Sequence, residues 1–363
     1  MKPQFERIAI KVGSNVITQK DGTLNTGRML RLVEEIAVLC KQGHQVILIT
    51  SGAVAAGRND LVPSKKTSEI SAKQMWAAIG QVKLMSNYQF LFGKYNIPAG
   101  QLLATKESFR DRVHYLNMRN CILAMLENSV LPIVNENDAI SISELMFTDN
   151  DELSGLLSSM MDCGTLIILS NVDGIYTGIP GSIGSDLIRE IDEDFGDLDK
   201  YISSAVSGFG RGGMLTKSSI ARGIAAEGIH VYIANGTRDS IISDIVHEKD
   251  VPCTHFKASP KKKSGVKKWL SHSDQFARGI VYVNKGAKEA LLGQNATSLL
   301  LIGVEKIEGA FKKGDIVRIF DEKGKQIGIG MSQYDSKKAE QHIGEKKGKP
   351  LIHYDYLLIN DKT

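Results

Sequence analysis

Along residues 1–250 short apolar runs alternate with longer stretches in which apolar positions recur every three or four residues. The runs at 8–12, 45–50, 97–103, 131–134, 165–169 and 230–234 are dominated by apolar side chains, which predicts strands. Between them the periodicity is helical. Over 28–41 the apolar positions are Leu30, Leu32, Val33, Ile36, Ala37 and Leu39, and 214–227 has the same character. Strands without a polar face, separated by amphipathic helices, predict a mostly parallel sheet covered on both sides, an α/β three-layer sandwich.

Beyond about 247 the pattern changes. Pro252, Pro260 and the run Lys261, Lys262, Lys263 read as a linker or domain seam. Short strand candidates follow at 279–283, 298–304, 315–320, 326–331 and 354–359, set apart by turn signals such as Lys313-Gly314-Asp315. A small, mostly β domain is expected. The expected division is 1–250 for the α/β domain, 251–276 for the linker and 277–363 for the second domain.

The 363 residues suffice for two cores,. Charge strengthens the division: from Lys257 onward there are 21 Lys and Arg against 12 Asp and Glu, a net +9, which leaves −5 for the first 256 residues. The N-terminus, MKPQFERIAIKVG, lacks the apolar core of a signal peptide. No apolar run approaches the roughly 18 residues of a membrane span. A cytoplasmic protein without membrane partners is therefore expected. Cys40, Cys121, Cys163 and Cys253 stand far apart with no CxxC pair, which argues for reduced thiols and against a zinc site.

In a parallel sheet ligands bind at the carboxyl ends of the strands, and here those ends share a composition. They read Lys11-Val-Gly-Ser-Asn15, Thr50-Ser-Gly-Ala53, Asn135-Glu-Asn-Asp138 and Ser170-Asn-Val-Asp173. The fourth strand leads into Asn135, Glu136, Asn137, Asp138, Glu144, Asp149, Asn150 and Asp151. Carboxylates are costly to bury alone, so such a cluster faces solvent, forms turns or holds something positive.

The stretch 207–217, SGFGRGGMLTK, precedes an amphipathic pattern. Glycines let a backbone approach a ligand, and a helix N-terminus attracts anions. Gly208, Gly210 and Gly213 satisfy GxGxxG, but no strand precedes them, and Thr216 before Lys217 breaks the P-loop pattern,. Lys11, delivered by the first strand to the same sheet edge, pairs with Lys217 as half of a phosphate clamp. Phosphoryl transfer needs charge neutralised on the moving oxygens, and carboxylates to hold the lysines and a magnesium ion. Asp151 and its neighbours supply them.

The segments KVGSN, VILITSGAVAAGR, LPIVNENDA, FTDNDELS and GFGRGGMLTK, in this order, resemble the amino acid kinase family, and within it the members that phosphorylate free glutamate and carry a C-terminal PUA-like domain. The resemblance implies the amino acid kinase fold and the use of ATP with Mg2+ to phosphorylate the side-chain carboxylate of L-glutamate, the first step of proline synthesis. By the same resemblance Lys11 and Lys217 stabilise the transferring group and Asp151 orients them. Ser51, Gly52, Ala53, Asn135, Asp138, Asp149 and Asn150 hold glutamate. Lys11, Gly13, Ser14, Ser170, Asn171 and the run Arg211, Gly212, Gly213, Met214, Leu215, Thr216 and Lys217 contact the nucleotide, with no metal ligated directly by protein. Thr148, Asn171 and Arg211 depart from the residues usual in the family. Glu136 and Glu144 receive no role. A homo-oligomer and feedback by proline are also implied. The competing readings are a kinase of acetylglutamate, aspartate, carbamate or UMP, and an RNA-binding protein acting through its basic C-terminal domain.

Overall fold

The structure, a computed structural model, describes residues 7–140, 147, 150–196, 198, 211–260, 268–270, 274–293, 297–346 and 348–359. They form two compact units, 1–108 with 113–262 and 109–112 with 263–363.

The first unit is built on an eight-stranded sheet in the order β3-β4-β2-β1-β5-β7-β8-β6. Its strands are β1 (Arg7–Val12), β2 (Gln45–Ile49), β3 (Ala99–Ala104), β4 (Leu131–Glu136), β5 (Thr165–Ser170), β6 (Glu190–Ile191), β7 (His230–Asn235) and β8 (Cys253–Phe256). Every pairing is parallel except that of β7 with β8. Ile8, Ile10 and Val12 of β1 join a core with Met29, Leu32, Val33 and Ile36 of helix Thr26–Lys41, Leu84, Tyr88 and Phe92 of helix Glu69–Gly93, and Ile241 and Ile245 of helix Ile241–Val246. Successive strand residues point to opposite faces, so Ala9 and Lys11 face the other layer. Helix Asn150–Met160 packs there across β1, β2, β4 and β5, and helix Arg211–Ala225 packs against it and β7. These are the three layers expected.

Strand β1 is followed across the sheet by β2 on one side and by β5 on the other. The chain reverses direction of travel there, which opens a crevice at the carboxyl ends of the central strands.

The second unit carries a five-stranded sheet ordered β10-β9-β11-β12-β13, made of β9 (Gly279–Val283), β10 (Val304–Glu308), β11 (Ile316–Phe320), β12 (Gln326–Ser332) and β13 (Ile352–Ile359). Val281, Val283, Val317, Ile319, Leu351 and Ile352 centre a core of its own.

Two expectations change. The stretch 251–276, read as a linker, begins with β8, whose four residues pair with β7 and β6. The prolines that suggested a seam flank this strand at 252 and 260 and interrupt no ladder,. The strand expected over 298–304 is replaced by a 3-10 turn at Leu301–Gly303, with β10 starting at Val304. An apolar run of that length carries no period to separate the two forms.

Candidate active site

The centre of the crevice is Asp151, in the first turn of helix Asn150–Met160 and fully buried. Its Oδ1 lies 2.5 Å from Lys11 Nζ and its Oδ2 2.7 Å from Lys217 Nζ. Lys11 is itself only 5% exposed. The pleat sends its side chain beneath that helix, and Lys217 enters from the second turn of helix Arg211–Ala225. Burial pushes the Asp151 carboxyl up, but the two ammonium groups outweigh burial and hold it below the usual carboxylate range,. One carboxylate thus holds both lysine side chains, one on each of its oxygens.

The strand ends form the walls of a cavity of 470 Å³ that Lys11, Asp151 and Lys217 line. Gly13 follows β1, and its N–H donates to Leu169 O at 3.2 Å. Ser51 follows β2 and donates its hydroxyl to Val12 O at 2.7 Å. Gly52 takes a left-handed φ of 96°, which only glycine adopts without strain, and so turns the chain into helix Ala53–Arg58. Ser14, Ala53, Asp138, Asn150, Ser170 and Asn171 complete the expected lining.

Asn135 lies beneath the cavity, 1% exposed, and its Oδ1 accepts from Asn150 Nδ2 at 2.9 Å. The expected glycine loop is partly helix: Arg211 to Lys217 form its first two turns, and of residues 214–217 Lys217 lines the cavity while Met214, Leu215 and Thr216 do not. The residues at 207–210, Thr148, Asp149 and Glu144 lie outside the described ones.

Sequence reasoning gave no role to several lining residues, Arg58 and Glu136 among them, nor to one residue behind Asn135. Arg58, at the end of helix Ala53–Arg58, stacks its guanidinium over Trp76 at 4.9 Å. Glu136, 7% exposed, accepts from the Phe147 N–H at 2.9 Å. Burial first, then the nearby Asp138 and Glu152, push its carboxyl up to about 7 against the opposing pull of Lys106 and the Phe147 hydrogen bond. The third, Gln81, accepts from Asn135 Nδ2 at 2.8 Å. A polar residue inside a helix gives no sequence signal of such a partner, which stands 54 positions away.

Among the described residues no cluster of His, Cys, Asp and Glu could hold a metal ion, and no helix is long and apolar enough to cross a membrane. The four cysteines are free thiols.

The profile of the amino acid kinase family matches residues 6–235, and that of the PUA domain matches residues 279–353. A protein of Bacteroides thetaiotaomicron named glutamate 5-kinase is 53% identical over 360 residues, covering 99% of this chain and 100% of its own. Glutamate 5-kinases of Chlorobaculum tepidum and Photobacterium profundum are 46% and 35% identical, each over 98% of this chain and over 98% and 97% of their own. Both profiles fall on the two units separated above, and the relatives align across the whole length. The chain is a member of the amino acid kinase family, on its glutamate 5-kinase branch with a C-terminal PUA domain.

Proposed function

We infer that the chain transfers the terminal phosphoryl group of ATP to the side-chain carboxylate of L-glutamate, giving L-glutamyl 5-phosphate. The observation that carries this is the single buried carboxylate bridging two lysines at the mouth of β1. A transferring phosphoryl group spreads negative charge over its oxygens, and two preorganised ammonium groups stabilise that charge as it develops. Lys11 and Lys217 take that role, and Asp151 holds them. The acceptor is already ionised at neutral pH, so no general base is required.

The acceptor half supports a free amino acid. Burial pushes the Asp138 carboxyl up, which means its charged form lacks a sufficient counter-charge and an incoming ammonium would supply it. Asn150 lines the same cavity. The N–H groups of Gly52 and Ala53 would donate to the acceptor's carboxylate, and Ser51 would join them by turning its hydroxyl away from Val12 O,. Asp149 belongs to the same proposal from sequence. Gly13, Ser14, Ser170, Asn171 and the Arg211–Lys217 run would take the nucleotide. Asp151 is already shared by two lysines, so Mg2+ fits as an ion brought by the nucleotide phosphates, adding positive charge on their oxygens when bound. Inhibition by proline, self-association and a cytoplasmic location belong to the same reading.

The test is ATP consumption with magnesium across glutamate, aspartate, N-acetylglutamate, carbamate and UMP. Turnover with glutamate alone is expected, and preference for any other acceptor overturns the assignment. Proline added to the same assay is expected to slow it.

A further inference from the structure

The amide groups beneath the acceptor cavity are set in a fixed direction by one backbone atom. Thr50 O can only accept, and it lies 2.7 Å from the side-chain nitrogen of Asn150, which must therefore be Nδ2. The second hydrogen of Nδ2 goes to Asn135 Oδ1 at 2.9 Å. Asn135 is thereby oriented too, and its own Nδ2 donates to Gln81 Oε1 at 2.8 Å. The two ends of the relay are left over. Asn150 Oδ1 and Gln81 Nε2 are buried and have no partner among the described residues. Asn150 lines the main cavity, and Gln81 lines an adjoining one of 260 Å³ that shares Ala53, Glu136 and Asp138 with it.

We propose that Gln81 is a positioning residue for acceptor recognition: its Oε1 holds Asn135, and through it Asn150, so that Asn150 Oδ1 faces the cavity and receives the acceptor's ammonium group. The proposal rests on the reading that the acceptor is a free amino acid. Asn135 is almost wholly buried, so without an acceptor at position 81 its Nδ2 has nowhere to donate. A buried unpaired donor is unfavourable enough to drive a rearrangement. Turning the Asn135 amide over would set its Nδ2 against Asn150 Nδ2, donor against donor. Asn150 then loses one of its two holds, and if its amide follows, an N–H faces the incoming ammonium in place of an oxygen.

The experiment compares glutamate with glutarate, the same dicarboxylate without the amino group, in the full-length protein with ATP and magnesium. Gln81→Leu is expected to lower kcat/KM for glutamate about 10- to 100-fold, the size of a lost buried hydrogen bond to a charged group, while glutarate and the KM for ATP change less than about twofold. Gln81→Glu keeps an accepting oxygen for Asn135 and is expected to retain the preference for glutamate. The proposal is overturned if Gln81→Leu lowers both acceptors equally, if it leaves the preference intact, or if Gln81→Glu loses the preference as fully as Gln81→Leu. A wild-type protein that fails to phosphorylate glutamate would instead overturn the functional reading on which this one stands, whatever the variants do.

Discussion

Asp151 carries two obligations that single replacements can separate. Removing Lys217 leaves the buried Asp151–Lys11 pair intact, so Lys217→Ala is expected to lower kcat about 10²- to 10³-fold, as loss of one preorganised charge on a transition state does, with little change in thermal midpoint. Asp151→Asn leaves two ammonium groups facing each other where Lys11 is buried, and breaking a buried pair costs about 3–5 kcal/mol. That variant is expected to lose activity and also to unfold at lower denaturant concentration. Equal unfolding midpoints for Asp151→Asn and wild type would show that the lysines find another partner. The residues of this triad were legible in the sequence because each stands at a strand end or a helix start, where position along the chain already implies position in space. That Asp151 serves both lysines was not, since a side chain's partners depend on which face of β1 the helix covers.

At the scale of elements, the proposed acceptor site depends on how closely two helices cross. Helix Ala53–Arg58 and helix Glu69–Gly93 meet at Gly57 and Gly80. A Cβ on Gly80 would stand 1.8 Å from Ala53 O, and one on Gly57 2.0 Å from Trp76 O. Both obstacles are backbone, which cannot rotate aside. Gly80→Ala is expected to cost about 1–3 kcal/mol or more in stability, as overpacking does, and to raise the KM for the acceptor more than that for ATP, because it displaces Gln81 and the Ala53 turn together. Denaturant titration alongside kinetics with each substrate varied checks it. The central strands could be read from their apolar runs because a strand buried on both faces has no polar positions to confuse the pattern. β6 and β8 escaped notice: one has two residues and the other, Cys-Thr-His-Phe, alternates at the sheet's far side. The relay from Gln81 was invisible for a different reason, since its three amides come from a helix, a strand and a second helix that only tertiary packing brings together.

Over the whole molecule, the two units show why fold class was easier to read than site detail. Each has a core of its own, and a change in hydrophobic period and in charge sign marks the passage between them. Within the first unit one buried and one half-buried group tie stability to pH in opposite senses. Glu136, pushed up to about 7 from 4.5 chiefly by burial, keeps its proton longer in the folded state, so its contribution is full below pH 4.5 and is lost as pH rises toward 7. His255 is pushed down to about 4 from 6.5 by burial and by His230, against the pull of Glu190 and with that of Lys257. The unfolded chain takes that proton first, so the His255 contribution is present above pH 6.5 and lost as pH falls toward 4. The slopes oppose each other between pH 4.5 and 6.5. Glu136→Gln is expected to unmask the His255 slope, making the thermal midpoint rise with pH across that window, and to stabilise the protein at pH 8. His255→Phe, which keeps the stack on Tyr232 at 4.2 Å, is expected to give the reverse slope. Midpoints at four pH values for the three proteins decide it, and parallel curves would refute the assignment of either group.

The glycine crossing also bears on what the pocket can become. With Gly80 and Gly57 in backbone contact, the spacing between the two helices is already at its minimum, and any bulkier residue there pushes one away from the strand ends. Enlarging the proposed acceptor pocket by moving its walls is therefore expected to undo the amide relay before it makes room. A chain of this design has to acquire a new acceptor by exchanging side chains such as Gln81, Asn135 and Asp138 on an unmoved frame, and a library that varies those positions while keeping both glycines should yield more folded, active variants than one that varies the glycines.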